Sequence, residues 1–190
     1  MNLQRDWMGK MTAVASNPMT DLWVLNETGE RVGFESLWQE KPILIFFMRN
    51  IGCGICRQTL LNLRDYDQAF KDAGWQIVVL MMGNVELVSR FRSMYNIPFP
   101  IYVDQSLQVY DYFEIVEGSW LQVLSPQVLI RQAKLLVGGM ELLNGAGSMR
   151  RLGGAAAINR AGQIVYHHVA NPIYRYPEWS SVLQTLQQTN

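Results

Sequence analysis

Residues 43–56 read Ile-Leu-Ile-Phe-Phe-Met-Arg-Asn-Ile-Gly-Cys-Gly-Ile-Cys, and this stretch decides the fold. Its first six residues form a short apolar run rich in β-branched and aromatic side chains, which predicts a strand buried on both faces. After Gly52 the apolar residues recur at helical spacing, and Ala73-Gly74 provides a helix end. The residues that carry this spacing are Cys56, Leu60, Leu63 and Phe70. A buried strand is therefore predicted to lead, through Cys53 and Cys56, into an amphipathic helix.

The flanking sequence alternates predicted strands and helices. A hairpin is predicted from residues 21–25 and 31–34, and a second one from residues 155–158 and 163–168, with Gly162 supplying a positive φ. Asp104 or Ser106 is positioned to cap a helix over 107–113. Further strands are predicted at 75–81 and 101–103, and further helices at 35–39, 85–95 and 177–187. This order predicts an α/β fold: a mixed central sheet with helices on both faces and an N-terminal hairpin.

The length of 190 residues predicts one domain spanning residues 1–190. Residues 114–152 are predicted to form a helical and loop insertion before the final hairpin, with a helix over 128–136 that starts near Pro126. Insertions of this length are often functional, and the sequence leaves open whether this one is a lid or a dimer surface. A homodimer is thus left open.

Composition excludes two classes of partner. The chain has 16 basic and 16 acidic residues, so it lacks the positive excess that phosphate contacts require, and we expect no nucleic-acid partner. No stretch reaches the roughly 18 to 20 apolar residues that span a bilayer, and residues 1–20 hold no secretory apolar run. We therefore expect no membrane association and a cytoplasmic location.

The two cysteines of the chain form a single Cys-x-x-Cys pair, which in the cytoplasm indicates redox chemistry or metal binding. A thiol reacts as its thiolate, and the positive end of a helix dipole favours that anion. Cys53 is predicted to lie at such a helix start, with Arg49 and Arg57 near it in sequence. Cys56 is expected to face the core one turn later, within disulfide reach. Cys53 is therefore the predicted attacking thiol and Cys56 the resolving one.

The cysteine pair has two other interpretations. A metal site needs two more ligands, and His167 and His168, adjacent on a predicted strand, point to opposite faces. We therefore predict no metal and no organic cofactor. The second interpretation is purely structural, with both cysteines packed at a helix start.

Three segments, in matching order, resemble the peroxiredoxin-like AhpC/TSA family of the thioredoxin superfamily. The first is the apolar strand followed by Arg-x-x-Gly-Cys-x-x-Cys-Arg, at residues 43–57. The second is Phe-Pro-x-x-x-Asp at 99–104, and the third is the Gly-Gly hairpin segment at 151–162. The resemblance covers about residues 17–170 and implies a thioredoxin-like fold.

The resemblance implies an antioxidant thiol peroxidase. Cys53 would reduce a hydroperoxide and become a sulfenic acid, and Cys56 would condense with it to a disulfide. A thioredoxin- or glutathione-type reductant would then reset the pair. Four side chains are candidate stabilisers of the thiolate or the peroxide: Arg49, Asn50, Arg57 and Arg151.

The sequence also departs from the family pattern. Phe46 and Asn50 stand where the family has Pro and a Thr or Ser hydroxyl, and Gly153 stands where the family has a second arginine. Gly153-Gly154 also replaces the cis-proline that thioredoxins place before the final hairpin. Two alternatives therefore stay open: a protein disulfide reductase, and a redox-sensing or binding module that the Cys53–Cys56 disulfide switches without turnover.

Overall fold

The computed structural model describes residues 19–140 and 147–189, and the elements below are those of the described residues. The strands are β1 Trp23–Leu25, β2 Arg31–Gly33, β3 Ile43–Met48, β4 Gln76–Met81, β5 Ile101–Val103, β6 Gly154–Ile158 and β7 Ile164–Val169. The α-helices are α1 Gly54–Arg64, α2 Asp67–Asp72, α3 Glu86–Tyr95, α4 Gln108–Tyr112, α5 Trp120–Val123, α6 Pro126–Val137 and α7 Trp179–Gln187. Two 3₁₀ helices, Met19–Asp21 and Phe34–Trp38, complete the description.

The seven described strands form one mixed sheet in the order β2-β1-β5-β4-β3-β6-β7. The central strands β3, β4 and β5 run parallel to one another, while β1 and β6 join them in antiparallel fashion. Because the central strands are parallel, their carboxyl ends lie at one edge of the sheet. The CxxC motif follows β3 and therefore lies at this edge.

Every residue of β3 is buried, and its side chains alternate between two hydrophobic cores. Helices α1, α2, α3 and α7 contribute to the core on one face, and α4, α5 and α6 contribute to the core on the other. The predicted mixed sheet with helices on both faces is thus confirmed. The β3 side chains of the first core are Leu44, Phe46 and Met48, and those of the second are Ile43, Ile45 and Phe47.

Both predicted hairpins are present. Strands β1 and β2 pair in antiparallel register, as do β6 and β7. In the second hairpin Gly162 adopts φ +76°, as predicted. The side-chain oxygen of Asn159 accepts hydrogen bonds from the backbone N–H groups of Ala161 and Gln163, which closes the turn.

The helix predicted from Gly52 to Ala73 is wrong in one respect, because it is divided into α1 and α2. The division falls at Asp65 and Tyr66, where the N–H of Tyr66 bonds to the carbonyl of Leu63 in a tight turn. Phe70 on α2 nevertheless enters the same core as Leu63 on α1. The apolar spacing therefore continues across the turn, and for this reason the spacing alone could not predict that the helix is divided.

Asp104, rather than Ser106, caps the helix that follows β5. Its carboxylate accepts hydrogen bonds from the backbone N–H groups of Val109 at 2.8 Å and Tyr110 at 3.1 Å. The Ser106 hydroxyl donates to the other Asp104 oxygen at 3.3 Å. The buried carboxylate thereby satisfies two N–H groups that the first turn of α4 leaves without a helical partner.

Within residues 114–152 the structure describes two helices, α5 and α6, and the predicted start of a helix at Pro126 is confirmed. Residues 141–146 of this insertion lie outside the described residues, as do residues 1–18. The extent of the insertion and the single-domain organisation stay predictions. None of the helices in residues 19–140 and 147–189 is long and apolar enough to cross a membrane.

We expect the substitution Asp104→Ala to lower the free energy of unfolding by about 1–3 kcal/mol, because it leaves two buried N–H groups without an acceptor. The measurement is urea unfolding followed by tryptophan fluorescence. Asp21→Ala, at an exposed position, is the control and should leave the midpoint unchanged. Equal midpoints for the two variants would contradict the capping role.

Candidate active site at the start of the CxxC helix

Cys53 is the N-cap residue of α1 and is half-buried. The turn before it is held by Asn50, whose carbonyl accepts from the N–H of Cys53 at 3.0 Å and whose side-chain oxygen accepts from the N–H of Gly52 at 2.7 Å. The Cys53 sulfur in turn accepts the N–H of Cys56 at 3.4 Å. The thiol therefore occupies the place that a Ser or Asp side chain takes at many helix starts.

Cys56 lies one turn further along α1 and is fully buried. It belongs to the core that also contains Leu60 and Leu63, as the helical spacing predicted. Both cysteines are free thiols in this structure. The two thiols therefore differ in access, since one lies at the helix start and the other beneath it.

The environments of the two thiols move their pKa values in opposite directions. A hydrogen bond from the Cys56 side chain, with help from the charge of Arg49 and the backbone N–H of Cys56, lowers the pKa of Cys53 to about 6 in spite of burial. Burial and the neighbouring Cys53 raise the pKa of Cys56 well above its ordinary value. At neutral pH the arrangement therefore favours a thiolate at Cys53 and a protonated thiol at Cys56.

Arg49 immediately follows β3 and is buried, with an exposed fraction of 6%. Burial disfavours its charge, but the neighbouring Cys53, Cys56 and Tyr176 together outweigh this and raise the pKa of the guanidinium. Among the described residues its Nε and Nη1 have no hydrogen-bond partner. A buried cation with unused donors is suited to bind an anion or a peroxide oxygen beside the thiolate.

Asn50 lies in the same turn, but its amide is engaged with the backbone. Besides accepting from Gly52, it donates to the carbonyl of Gly147 at 3.4 Å. The structure therefore brings Asn50 close to Cys53 in a role that shapes the loop. A contact of its amide with peroxide stays a prediction.

Arg57 and Arg151 each donate a hydrogen bond to a side chain other than the Cys53 thiol. Arg57 is fully buried and donates to the hydroxyl of Tyr95 at 2.7 Å. Arg151 donates to Asp111 at 2.6 Å and lies 5.9 Å from the centre of the Tyr110 ring. Their predicted roles as thiolate stabilisers stay predictions, and Arg49 is the arginine whose charge acts most directly on Cys53.

Two residues at the site were missed by the sequence analysis. Gln132, on α6, accepts the backbone N–H of Gly54 at 3.2 Å, so the insertion contributes directly to the start of α1. Tyr176, in the segment before α7, points its hydroxyl at the Cys56 sulfur, 3.6 Å away. Neither residue belongs to a motif, and both are more than 75 positions from the cysteines, so no local pattern could have identified them.

A groove of about 590 Å³ runs along α1 between α6 and the segment that carries Tyr176. Its walls include Ile55 and Thr59 of α1 together with Arg131 and Lys134 of α6. A larger cavity of about 820 Å³ lies near the amino ends of β3 and β4, at the other end of the sheet from the thiols. The smaller groove is therefore the one that adjoins the cysteine pair.

The two histidines contact different segments. His167 bonds to the carbonyl of Phe113, and burial lowers its pKa to about 4, whereas His168 bonds to the carbonyl of Arg175. Across residues 19–140 and 147–189 there is no cluster of three or more His, Cys, Asp or Glu side chains suited to a metal ion.

The architecture is a thioredoxin-like fold, as its similarity to solved structures shows. The crystal structure of peroxidoxin BcpB from Mycobacterium tuberculosis superposes with a TM-score of 0.61 and 14% identity, over 89% of this chain and 93% of that one. A secreted disulfide oxidoreductase of the same organism gives a TM-score of 0.55 and 13% identity, over 90% and 97% of the two chains. The predicted thioredoxin-like fold is therefore confirmed.

The chain belongs to the AhpC/TSA family, whose sequence pattern it matches over residues 15–137. Among curated relatives, a prostamide/prostaglandin F synthase of Salmo salar is 27% identical over 101 residues. These residues make up 53% of this chain and 50% of the relative, so the chain spans about half of that protein's length. The family assignment predicted from the three sequence segments is confirmed.

We expect the reduced protein to titrate one thiolate near pH 6, measured as absorbance at 240 nm, and its second thiolate well above pH 9. Because the charge of Arg49 helps to stabilise the first thiolate, Arg49→Met should move that midpoint upward. Arg160→Met, at an exposed position, is the control and should leave it in place. Two thiols that titrate together near pH 9 would contradict this description of the site.

Proposed function

We propose that the protein reduces hydroperoxides, with Cys53 as the attacking thiol and Cys56 as the resolving thiol. The observation that carries the proposal is the pairing of a thiol whose pKa is lowered to about 6 with a buried neighbour whose pKa is raised. A peroxidatic cysteine must be a thiolate at neutral pH, and its partner must stay protonated until it is needed. Arg49 supplies the positive charge beside the reacting sulfur.

The proposed cycle has three steps. The Cys53 thiolate attacks the terminal oxygen of the hydroperoxide, so that an S–O bond forms and the O–O bond breaks. Cys53 becomes a sulfenic acid, and the departing alkoxide, or hydroxide in the case of H2O2, takes up a proton from water. Cys56 then attacks the sulfenic sulfur, which forms the S–S bond and releases water that carries away the Cys56 proton. Two thiols of a reductant finally restore both cysteines and become a disulfide themselves.

The proposed partner is a thioredoxin- or glutathione-type thiol reductant, acting in the cytoplasm. Structural disulfides are typical of secreted proteins and rare in the cytoplasm. The chain has two cysteines, and since both belong to the reactive pair, this content supports the cytoplasmic location. A homodimer stays a prediction from the sequence.

Stopped-flow mixing of the reduced protein with H2O2 tests the proposal. We expect rapid loss of both thiols in the wild type, no reaction in Cys53→Ser, and a sulfenic acid without disulfide in Cys56→Ser. The reason is that each variant removes one sulfur of a two-sulfur reaction. A second-order rate no greater than that of free cysteine would refute the peroxidase.

Asn50 favours a second candidate, a protein disulfide reductase. The family carries a hydroxyl three residues before the reactive cysteine, and here the Asn50 side chain at that position is bonded to Gly52 and Gly147. A disulfide substrate needs no such hydroxyl, because thiolate attack on sulfur requires only access and a good leaving group.

Reduction of insulin disulfides by the same preparations separates the two candidates. A reductase should precipitate insulin in the presence of dithiothreitol at a rate that depends on Cys53, whereas the peroxidase predicts a rate close to that of dithiothreitol alone. The Cys53→Ser variant provides the baseline. Turnover with insulin but none with H2O2 would replace the first proposal with the second.

A further inference from the structure

Tyr176 connects the groove beside α1 with the buried thiol of Cys56. Its ring lies against Phe46 of β3, with the ring centres 5.3 Å apart, and forms part of the groove wall. Its hydroxyl donates to the Cys56 sulfur at 3.6 Å, which is within hydrogen-bond range for sulfur. Cys56 itself has no exposed surface, so this phenol is the polar group that reaches its sulfur from the side of the groove.

Gly153 provides the space that the Tyr176 hydroxyl occupies. A Cβ atom at position 153 would lie 2.0 Å from the Tyr176 oxygen and 2.8 Å from the carbonyl oxygen of Phe47. The glycine and the tyrosine are therefore linked, since any side chain at 153 would displace the phenol from Cys56.

The position of the phenol matters when the disulfide is reduced. When a reductant thiolate attacks Cys53, a bond forms between the reductant sulfur and the Cys53 sulfur, and the Cys53–Cys56 bond breaks. The bonding electron pair goes to Cys56, which leaves as a thiolate. A buried thiolate without a hydrogen-bond donor is costly, and a poor leaving group slows thiol–disulfide exchange.

We propose that Tyr176 is a catalytic residue of the reductive step, in which its hydroxyl donates a hydrogen bond to the Cys56 sulfur as that sulfur leaves. The proton stays on the phenol, because burial and the neighbouring thiols raise the pKa of Tyr176 well above its ordinary value. The Cys56 thiolate afterwards takes up the proton that the attacking thiol lost. A second reductant thiol then releases Cys53 and leaves as part of the reductant disulfide.

This inference rests on the proposed thiol–disulfide chemistry of the pair but does not depend on peroxide as the substrate. The disulfide is prepared with diamide, and its reduction by dithiothreitol is followed by stopped-flow tryptophan fluorescence at pH 7. Failure of the protein to react with H2O2 would refute the peroxidase and leave this reaction measurable. The two proposals can therefore fail separately.

The decisive variant is Tyr176→Phe, which removes the hydroxyl and keeps the ring. We expect disulfide reduction to slow by about 10- to 150-fold, because a hydrogen bond to a charged group contributes about 1.5–3 kcal/mol and about 1.4 kcal/mol corresponds to a factor of ten. Tyr174→Phe is the matched control, since Tyr174 lines the same groove, and it should reduce at the wild-type rate. Gly153→Ala, which displaces the phenol, should slow the same step.

Alkylation of Cys53 by iodoacetamide in the reduced proteins separates catalysis from general damage to the site. The proposal expects Tyr176→Phe to slow disulfide reduction while Cys53 is alkylated at a rate within a factor of two of wild type. An unchanged rate of reduction would overturn the role of Tyr176. An equal slowing of reduction and alkylation, or an equal effect of Tyr174→Phe, would also overturn it.

Discussion

The hydrogen bond from the backbone N–H of Cys56 to the sulfur of Cys53, 3.4 Å long, makes a thiol the capping group of α1. An ordinary N-cap is a hydroxyl or a carboxylate, and a thiolate serves the same purpose because it carries the negative charge that a helix start favours. The capping hydrogen bond therefore also favours the ionised, reactive state of Cys53, together with the Cys56 side chain and the charge of Arg49. The buried strand β3 fixes where this interaction occurs, since it delivers Arg49 and the turn that follows to one edge of the sheet.

Three segments distant in the sequence converge on this helix start. Helix α6 of the insertion places Gln132 on the N–H of Gly54, and a side chain larger than glycine at position 54 would crowd that contact. The segment before α7 supplies Tyr176, and the Gly153 that precedes β6 leaves room for it. The predicted insertion, residues 114–152, thus contributes a contact at the cysteine pair through Gln132.

The strands, the hairpins and the location of the cysteine pair could be predicted from the sequence, because each depends on local apolar spacing or on turn residues such as Gly162. The same local reasoning identified Arg49 and placed Cys56 in the core. It missed the division of α1 from α2, because the apolar spacing runs on through the turn at Tyr66. It also missed Gln132 and Tyr176, whose roles arise from tertiary contacts that no periodicity records.

Limited alkylation of the reduced, folded protein at pH 7, followed by peptide mapping, tests the central claim most directly. With iodoacetamide below one equivalent, the account predicts modification at Cys53 and almost none at Cys56, because one is a half-buried thiolate and the other a buried thiol. The denatured protein should label both cysteines to similar extents. Equal labelling of the two in the folded protein, or preferential labelling of Cys56, would contradict the account.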